Sequence, residues 1–148
     1  MRWDVSKVEH EGDAYFTVRW SPFAKADKYT IHTGVPAIAG IAELYWMDEA
    51  KKLNLFCVAR SWYGGLRSVV RARIDPELER DEYRRSVLEA HPNDLWYRYT
   101  GTDSHGDMSD LMFFFMETYA PGAGLVESSG RYGRIFVDEI DAGKLVTS

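Results

Sequence analysis

Hydrophobic and polar positions alternate from Ala14 to Trp20, a run rich in aromatic and β-branched residues, and this predicts a strand. Ser21-Pro22 marks a turn. Lys28 to Thr33 alternates again, with Tyr29 and Ile31 on one face, so residues 1–34 read as a β-hairpin with an irregular lead. Gly34-Val35-Pro36 breaks that pattern. Gly40–Met47 and Leu53–Trp62 flank the polar connection Asp48–Lys52 and predict a second hairpin. After Tyr63-Gly64-Gly65 the period changes: Leu66, Val69, Val70 and Ile74 fall at helical spacing, with Arg67 and Arg71 four apart on one flank. Asp75-Pro76-Glu77 has the composition of a fresh helix start, expected to run to about Ala90 and to end at His91-Pro92-Asn93-Asp94.

Leu95–Thr100 is short and aromatic, a third core strand. Ser104 with Asp107 resembles a capping box. The helix that follows places Met108, Leu111, Met112, Phe115 and Tyr119 on one face, with Phe113 and Phe114 beyond it, and is therefore expected to be buried on most sides. Pro121-Gly122 stops it. Arg134–Ile140 is a last strand, and the tail after Asp141 is expected to fray. The expected fold is α+β: an antiparallel sheet of two hairpins plus a third strand, flanked by about three helices.

A chain of 148 residues, 45% hydrophobic, fits one domain with a real core. Its parts are an N-terminal hairpin extension (1–34), a core (35–124), and a C-terminal strand and tail (125–148). The single cysteine, Cys57, forms no internal disulfide and suits a reducing compartment. Alternation places it in an apolar strand, where a buried, inert thiol is expected. The start Met1–Lys7 has no apolar segment of signal type, and the longest apolar run, Leu111–Met116, is far too short to cross a bilayer. A soluble, cytoplasmic protein without membrane association is the expectation.

The net charge of −5 argues against general binding to duplex DNA, which depends on phosphate neutralisation. Charge is nevertheless local. Arg60, Arg67, Arg71 and Arg73 occur with no acid between them, and such a cluster can attract an anion. The competing account pairs these arginines with Glu77, Glu79, Asp81 and Glu82. A glycine loop opening a helix can cradle an anion through its amides, which makes Arg60, Tyr63, Gly64, Gly65, Arg67 and Arg71 the candidate anion site. The alternative is a tight connection that needs positive φ. Glu43, on the face shared by Ile41, Tyr45 and Met47, is expected to make a structural pair with Arg60 or Arg71, with a catalytic acid as the alternative. Asp103, His105, Asp107 and Asp110 match no calcium-loop spacing, and helix capping accounts for Ser104 and Asp107; no metal site is expected. His10, His32 and His91 stand alone. Trp62, Tyr63, Trp96, Tyr97 and Tyr99 could stack on bases or sugars, but aromatics at strand spacing are expected in the core. Ser129–Arg134 reads as a mildly basic turn into the last strand, with closure over a site as the alternative.

From Gly40 to Gly124 the order of elements resembles the GIY-YIG nuclease domain. Gly40-Ile41-Ala42 stands where that family has Gly-Ile-Tyr. Cys57-Val58-Ala59 stands where it has Tyr-Ile-Gly. Arg67 matches its helix arginine, with Arg71 one turn later. The resemblance implies a tyrosine that helps activate water, an arginine on the phosphate and a glutamate that holds a divalent cation. Ala42 and Cys57 lack both hydroxyls. Met112-Phe113 occupies the glutamate's place, about two turns before Pro121, and the acid Glu117 comes one turn late. Phosphodiester cleavage leans on that metal, so no catalytic residue is expected and magnesium would matter only to an active nuclease. Were a reaction present, Arg67, Tyr45 and Glu117 would be its candidates; Tyr63 or Tyr97 could also replace a lost hydroxyl.

The expected function is a GIY-YIG-like domain without catalysis, binding nucleic acid or a phosphorylated small molecule. The alternatives are a homodimeric interaction module and an active metal-dependent nuclease. Thr17-Val18-Arg19-Trp20, with Tyr29 nine residues after the tryptophan, is similar to the opening of a fibronectin type III domain, an alternative for the N-terminal part.

Overall fold

The computed structural model describes residues 5–119 and 126–142. The Pro121-Gly122 stop and the tail from residue 143 onward lie outside them. The described residues form an α+β fold of two sheets and four helices.

Strands β1 (Val5–His10) and β2 (Asp13–Arg19) form a hairpin whose two turn residues, Glu11 and Gly12, both have positive φ, at 52° and 82°. Such a turn matches the twist of the strands it joins. β2 also pairs in parallel with β7 (Ile135–Ile140), which gives a three-stranded sheet in the order β1-β2-β7. The other sheet has four antiparallel strands, β3 (Ala24–Lys25), β6 (Leu95–Gly101), β4 (Gly40–Met47) and β5 (Leu53–Ser61), in the order β3-β6-β4-β5. The helices are α1 (Lys28–Gly34), α2 (Gly65–Arg73), α3 (Glu82–Ala90) and α4 (His105–Tyr119).

Several expectations give way here. Lys28–Thr33 is helix α1, not a strand: Asp27 accepts from Thr30 N at 2.9 Å while Thr30 Oγ1 accepts from Asp27 N at 3.3 Å. This reciprocal cap satisfies two orphan amides and overrides a short alternating pattern. The hairpin partner of β2 is β1, hidden in the sequence because its inward positions are Val5, Lys7 and Glu9. The two hairpins therefore lie in different sheets, and four helices replace the expected three. With α1 a helix and β2 beside parallel β7, the N-terminal part is not a fibronectin-type strand pair. Asp75-Pro76-Glu77 forms a turn, closed by Leu78 and Glu79 amides on Asp75 O, and α3 begins only at Glu82.

Strand alternation sends successive side chains to opposite faces of the four-stranded sheet. On one face Ala42, Leu44, Cys57, Ala59, Tyr97 and Tyr99 meet Ile31 of α1, Leu66 and Val70 of α2, and Val87 and Leu88 of α3. On the other face Ile41 meets Phe16 and Val18 of β2, Trp20, and the α4 residues Met108, Leu111, Met112 and Phe115. The sheet thus separates two apolar cores. Helix α2 covers one face, and α4 with β2 covers the other.

Candidate functional site

At the end of β5, Ser61 Oγ donates to Tyr63 O at 3.0 Å and turns the chain. Gly64 and Gly65 then take φ values of 86° and 82°, a conformation that favours glycine. A Cβ on Gly65 would also stand 2.8 Å from the carbonyl carbon of Ala37. The Leu66 amide is consumed by Ile38 O at 2.8 Å. Backbone geometry therefore accounts for the two glycines, in line with the tight-connection alternative. Tyr63, expected in the core, is 89% exposed on this turn, whereas Trp96, Tyr97 and Tyr99 are buried.

The three arginines diverge into three clefts. Arg67 lines one of about 800 Å³, together with Val35, Ile38, Tyr99, Thr102 and Asp103. Arg60 lines one of about 480 Å³ with Trp62, Tyr63 and His105. Arg71 lines one of about 580 Å³ with Lys28, Asp75 and Glu77. Register explains the split. Arg60 pairs across the ladder with Ile41 and so takes the α4 face, while Arg67 belongs to α2 on the opposite face. The arginine ion pairs among the described residues are made by Arg73, Arg84, Arg98, Arg131 and Arg134. Among the described residues, Arg73 alone of the cluster Arg60–Arg73 is neutralised as the competing account supposed, by Glu79 at 3.4 Å.

Arg67 is held in place. Its Nε donates to Val35 O at 2.8 Å, which fixes the plane of the guanidinium and leaves its two terminal amino groups for the cleft. Tyr99 closes the same cleft, and its hydroxyl donates to Gly34 O at 3.2 Å. Burial raises the Tyr99 phenol above its ordinary value. Tyr99 lies directly across the ladder from Ala42. The sequence alone places Tyr99 in the core and leaves it out of the anion site; the β4–β6 register brings it beside Arg67.

The residues that would be candidates were a reaction present, Tyr45 and Glu117, do not gather at Arg67. Tyr45 donates its hydroxyl to Glu43 Oε1 at 2.6 Å, and burial together with that carboxylate drives its pKa far up. Glu117 is exposed on α4, the helix behind the opposite face of the sheet from α2. Met112 is buried and Phe113 half-buried. Cys57 is buried, which lifts its thiol to about 11.

Glu43 meets neither Arg60 nor Arg71. Its cross-strand neighbour is Arg98, whose Nε donates to Glu43 Oε1 at 2.6 Å. Glu43 is 1% exposed, and burial pushes its carboxyl up against the opposing pull of Arg98 and Tyr45. The Arg98 guanidinium lies between the rings of Trp20 and Phe23, 4.5 and 4.8 Å from their centroids. Arg98 also pairs with Asp141, and with Glu139 at 3.7 Å; Trp20 Nε1 donates to Glu139 at 2.8 Å. This network ties β4 and β6 to the end of β7. Every polar member has a partner, which marks it as a structural lock.

The acids around α4 are likewise engaged. Ser104 Oγ accepts from Asp107 N at 3.1 Å, the expected cap. Asp107 accepts from Lys7 at 3.0 Å and from Arg131 at 2.9 Å. Buried Asp110 accepts from Arg131 at 2.8 Å and from Ser129 N at 2.7 Å. The segment Ser129–Arg134 is thus a turn pinned onto the start of α4. No group of three or more His, Cys, Asp or Glu is arranged as metal ligands among the described residues. No helix of those residues is long and apolar enough to cross a membrane.

A family model described as "Uncharacterised protein" matches residues 4–147. The chain belongs to that family. No curated protein and no solved structure matches it.

Proposed function

We propose that this chain is a GIY-YIG-like domain that has lost phosphodiester cleavage and binds an anionic ligand, nucleic acid or a phosphorylated small molecule, in the cleft beside Arg67. The supporting observation is Arg67 itself. Its guanidinium is anchored through Nε to Val35 O and lines the largest of the three clefts without an ion pair among the described residues. A pre-set fork of this kind suits a phosphate or carboxylate. The layout around it parallels the resemblance: β5, β4 and β6 side by side, the arginine on α2, a buried α4. Asp103 borders the cleft, so a ligand with a donor beside its anionic group fits better than a bare phosphate. A cytoplasmic setting belongs to this reading, since its one thiol is buried and inert.

The test is titration of the full chain with pyrophosphate and with a short single-stranded oligonucleotide, followed by amide chemical shifts. Saturable shifts at Val35, Arg67 and Thr102 are expected, lost in Arg67→Ala. Parallel incubation of plasmid with magnesium or manganese should give no nicking. Turnover abolished by Arg67→Ala would replace binding with the active-nuclease alternative.

One observation favours a second reading, a homodimer formed through the outer face of the small sheet. Register puts Val8, Tyr15 and Phe136 in one exposed row, and the two rings stack at 4.9 Å. A concentration-dependent dimer dissociated by Tyr15→Lys, with no anion affinity at Arg67, would establish it.

A further inference from the structure

We propose that the cleft between the β5–α2 turn and the start of α4, walled by Arg60, Trp62, Tyr63 and His105, binds a nucleotide unit, a planar base joined to a phosphate. This site is separate from the Arg67 cleft and stands without it. The two clefts share no lining residue: this one lies where the end of β5 meets α2 and α4.

Charge singles this cleft out. Asp103 borders the Arg67 cleft, and Asp75 and Glu77 border that of Arg71, but no carboxylate borders this one. Its polar lining is Arg60, His105 and the hydroxyls of Ser61 and Ser68. Arg60 is exposed and makes no ion pair among the described residues. A guanidinium in that state is free to fork onto a phosphate.

The rings supply the other half of the ligand. Trp62 is half-buried and packs against the second core, where its ring meets His105 edge-on with centroids 5.3 Å apart at 90°. Packing thus fixes one wall. Tyr63 is the most exposed large ring of the described residues, yet its backbone is anchored by Ser61 Oγ, and left-handed Gly64 follows it. A ring held on a fixed turn in water, beside a cation and a second ring, is a stacking platform, and every base has a face to lay on it. The volume of about 480 Å³ lies within the usual range for small-ligand sites.

The same chemistry could come from a free mononucleotide or from one nucleotide of a single strand, and the test separates them. The full chain is titrated with TMP, thymidine, inorganic phosphate and an oligo-dT octamer, read by amide shifts and by fluorescence. TMP is expected to shift Arg60, Tyr63 and His105, with thymidine and phosphate each at least about tenfold weaker. Tyr63→Ala and Arg60→Ala alter exposed side chains and should fold normally; each should weaken TMP about tenfold. Arg67→Ala should leave the TMP-induced shifts at Arg60, Tyr63 and His105 in place, which separates this site from the Arg67 cleft. An octamer much tighter than TMP, with the same two losses, assigns the site to a strand; equal affinities assign it to the mononucleotide. No saturable shift of His105 or Tyr63 with either ligand at millimolar concentration, or a His105 shift that survives both Tyr63→Ala and Arg60→Ala, overturns the proposal.

Discussion

Removing Arg98 offers a quantitative test of the buried lock. In Arg98→Met, Glu43 keeps only the Tyr45 hydroxyl as a partner, in a position 1% exposed. Deleting one member of a buried ion pair typically costs about 3–5 kcal/mol, because the remaining charge is stranded. Trp20 and Phe23 also lose the cation between them, worth roughly 0.5–2 kcal/mol in general. Much of the loss depends on pH. The folded-state pKa of Glu43 is already raised by burial, and losing Arg98 raises it further. Below the unfolded value the carboxyl is protonated in both states and costs nothing extra. As pH climbs above the ordinary 4.5, the unfolded chain ionises first, and stability falls until the folded pKa is passed. Urea unfolding at pH 5 and pH 8 should therefore show a larger deficit for Arg98→Met at the higher pH. A loss of about 3–5 kcal/mol corresponds to a Tm drop of roughly 6–20 °C for a chain of this size. The double variant Glu43→Leu/Arg98→Met should remove the pH-dependent part of the deficit, since an apolar pair strands no charge, and keep the part due to the Tyr45 hydroxyl left without its acceptor. A single-variant loss below about 1 kcal/mol, or one unchanged between the two pH values, would show that the Glu43 carboxylate is not a desolvated charge held by Arg98.

Gly65→Ala should destabilise by about 1–3 kcal/mol in thermal unfolding, because positive φ and contact with Ala37 act together; a neutral result would mean that the turn yields. Cys57, with its thiol lifted to about 11, should react with a disulfide reagent at pH 8 only through opening of the fold, and labelling as fast as a free thiol would contradict its burial. Glu79 is buried, which raises its pKa, but hydrogen bonds from Arg84 and the Asp81 amide, with the charges of Arg84 and Arg73, more than offset this and leave it below 4.5. Its stabilisation is complete above that value and is lost as pH falls through the folded one, so Glu79→Gln should cost roughly 2 kcal/mol at pH 7 and flatten the acid limb of the stability curve. Phe115→Ala, in the core between α4 and Trp20, should cost about 3–5 kcal/mol by urea unfolding.

What could be read from the chain divides along the range of the interactions involved. β4, β5, α2, β6, α4 and β7 were legible because each repeats its own period long enough to outvote local accidents, as Met108, Leu111, Met112 and Phe115 do in α4. Lys28–Thr33 was misread because six residues fit two periods equally, and the deciding contact was a cap from Asp27, just before the run. β1 was missed because a sheet edge with Lys7 and Glu9 facing inward needs no apolar alternation; Lys7 is satisfied by Asp107. The site shows the same division. Arg67 could be found from its spacing, but whether it would be neutralised could not, since that depended on which way α2 faces. Glu43 announced itself as a carboxylate in a buried strand, yet its partner Arg98 lies 55 residues away, joined only by the β4–β6 register. Tyr63 looked like core because it follows a strand of aromatic alternation, and only the Ser61 turn and two left-handed glycines put it in water. An arginine-rich segment therefore does not define a patch. The pleat turns Arg60 away from the face that α2 covers, and Arg67 on that helix lines a different cleft, so neighbours in sequence serve separate surfaces.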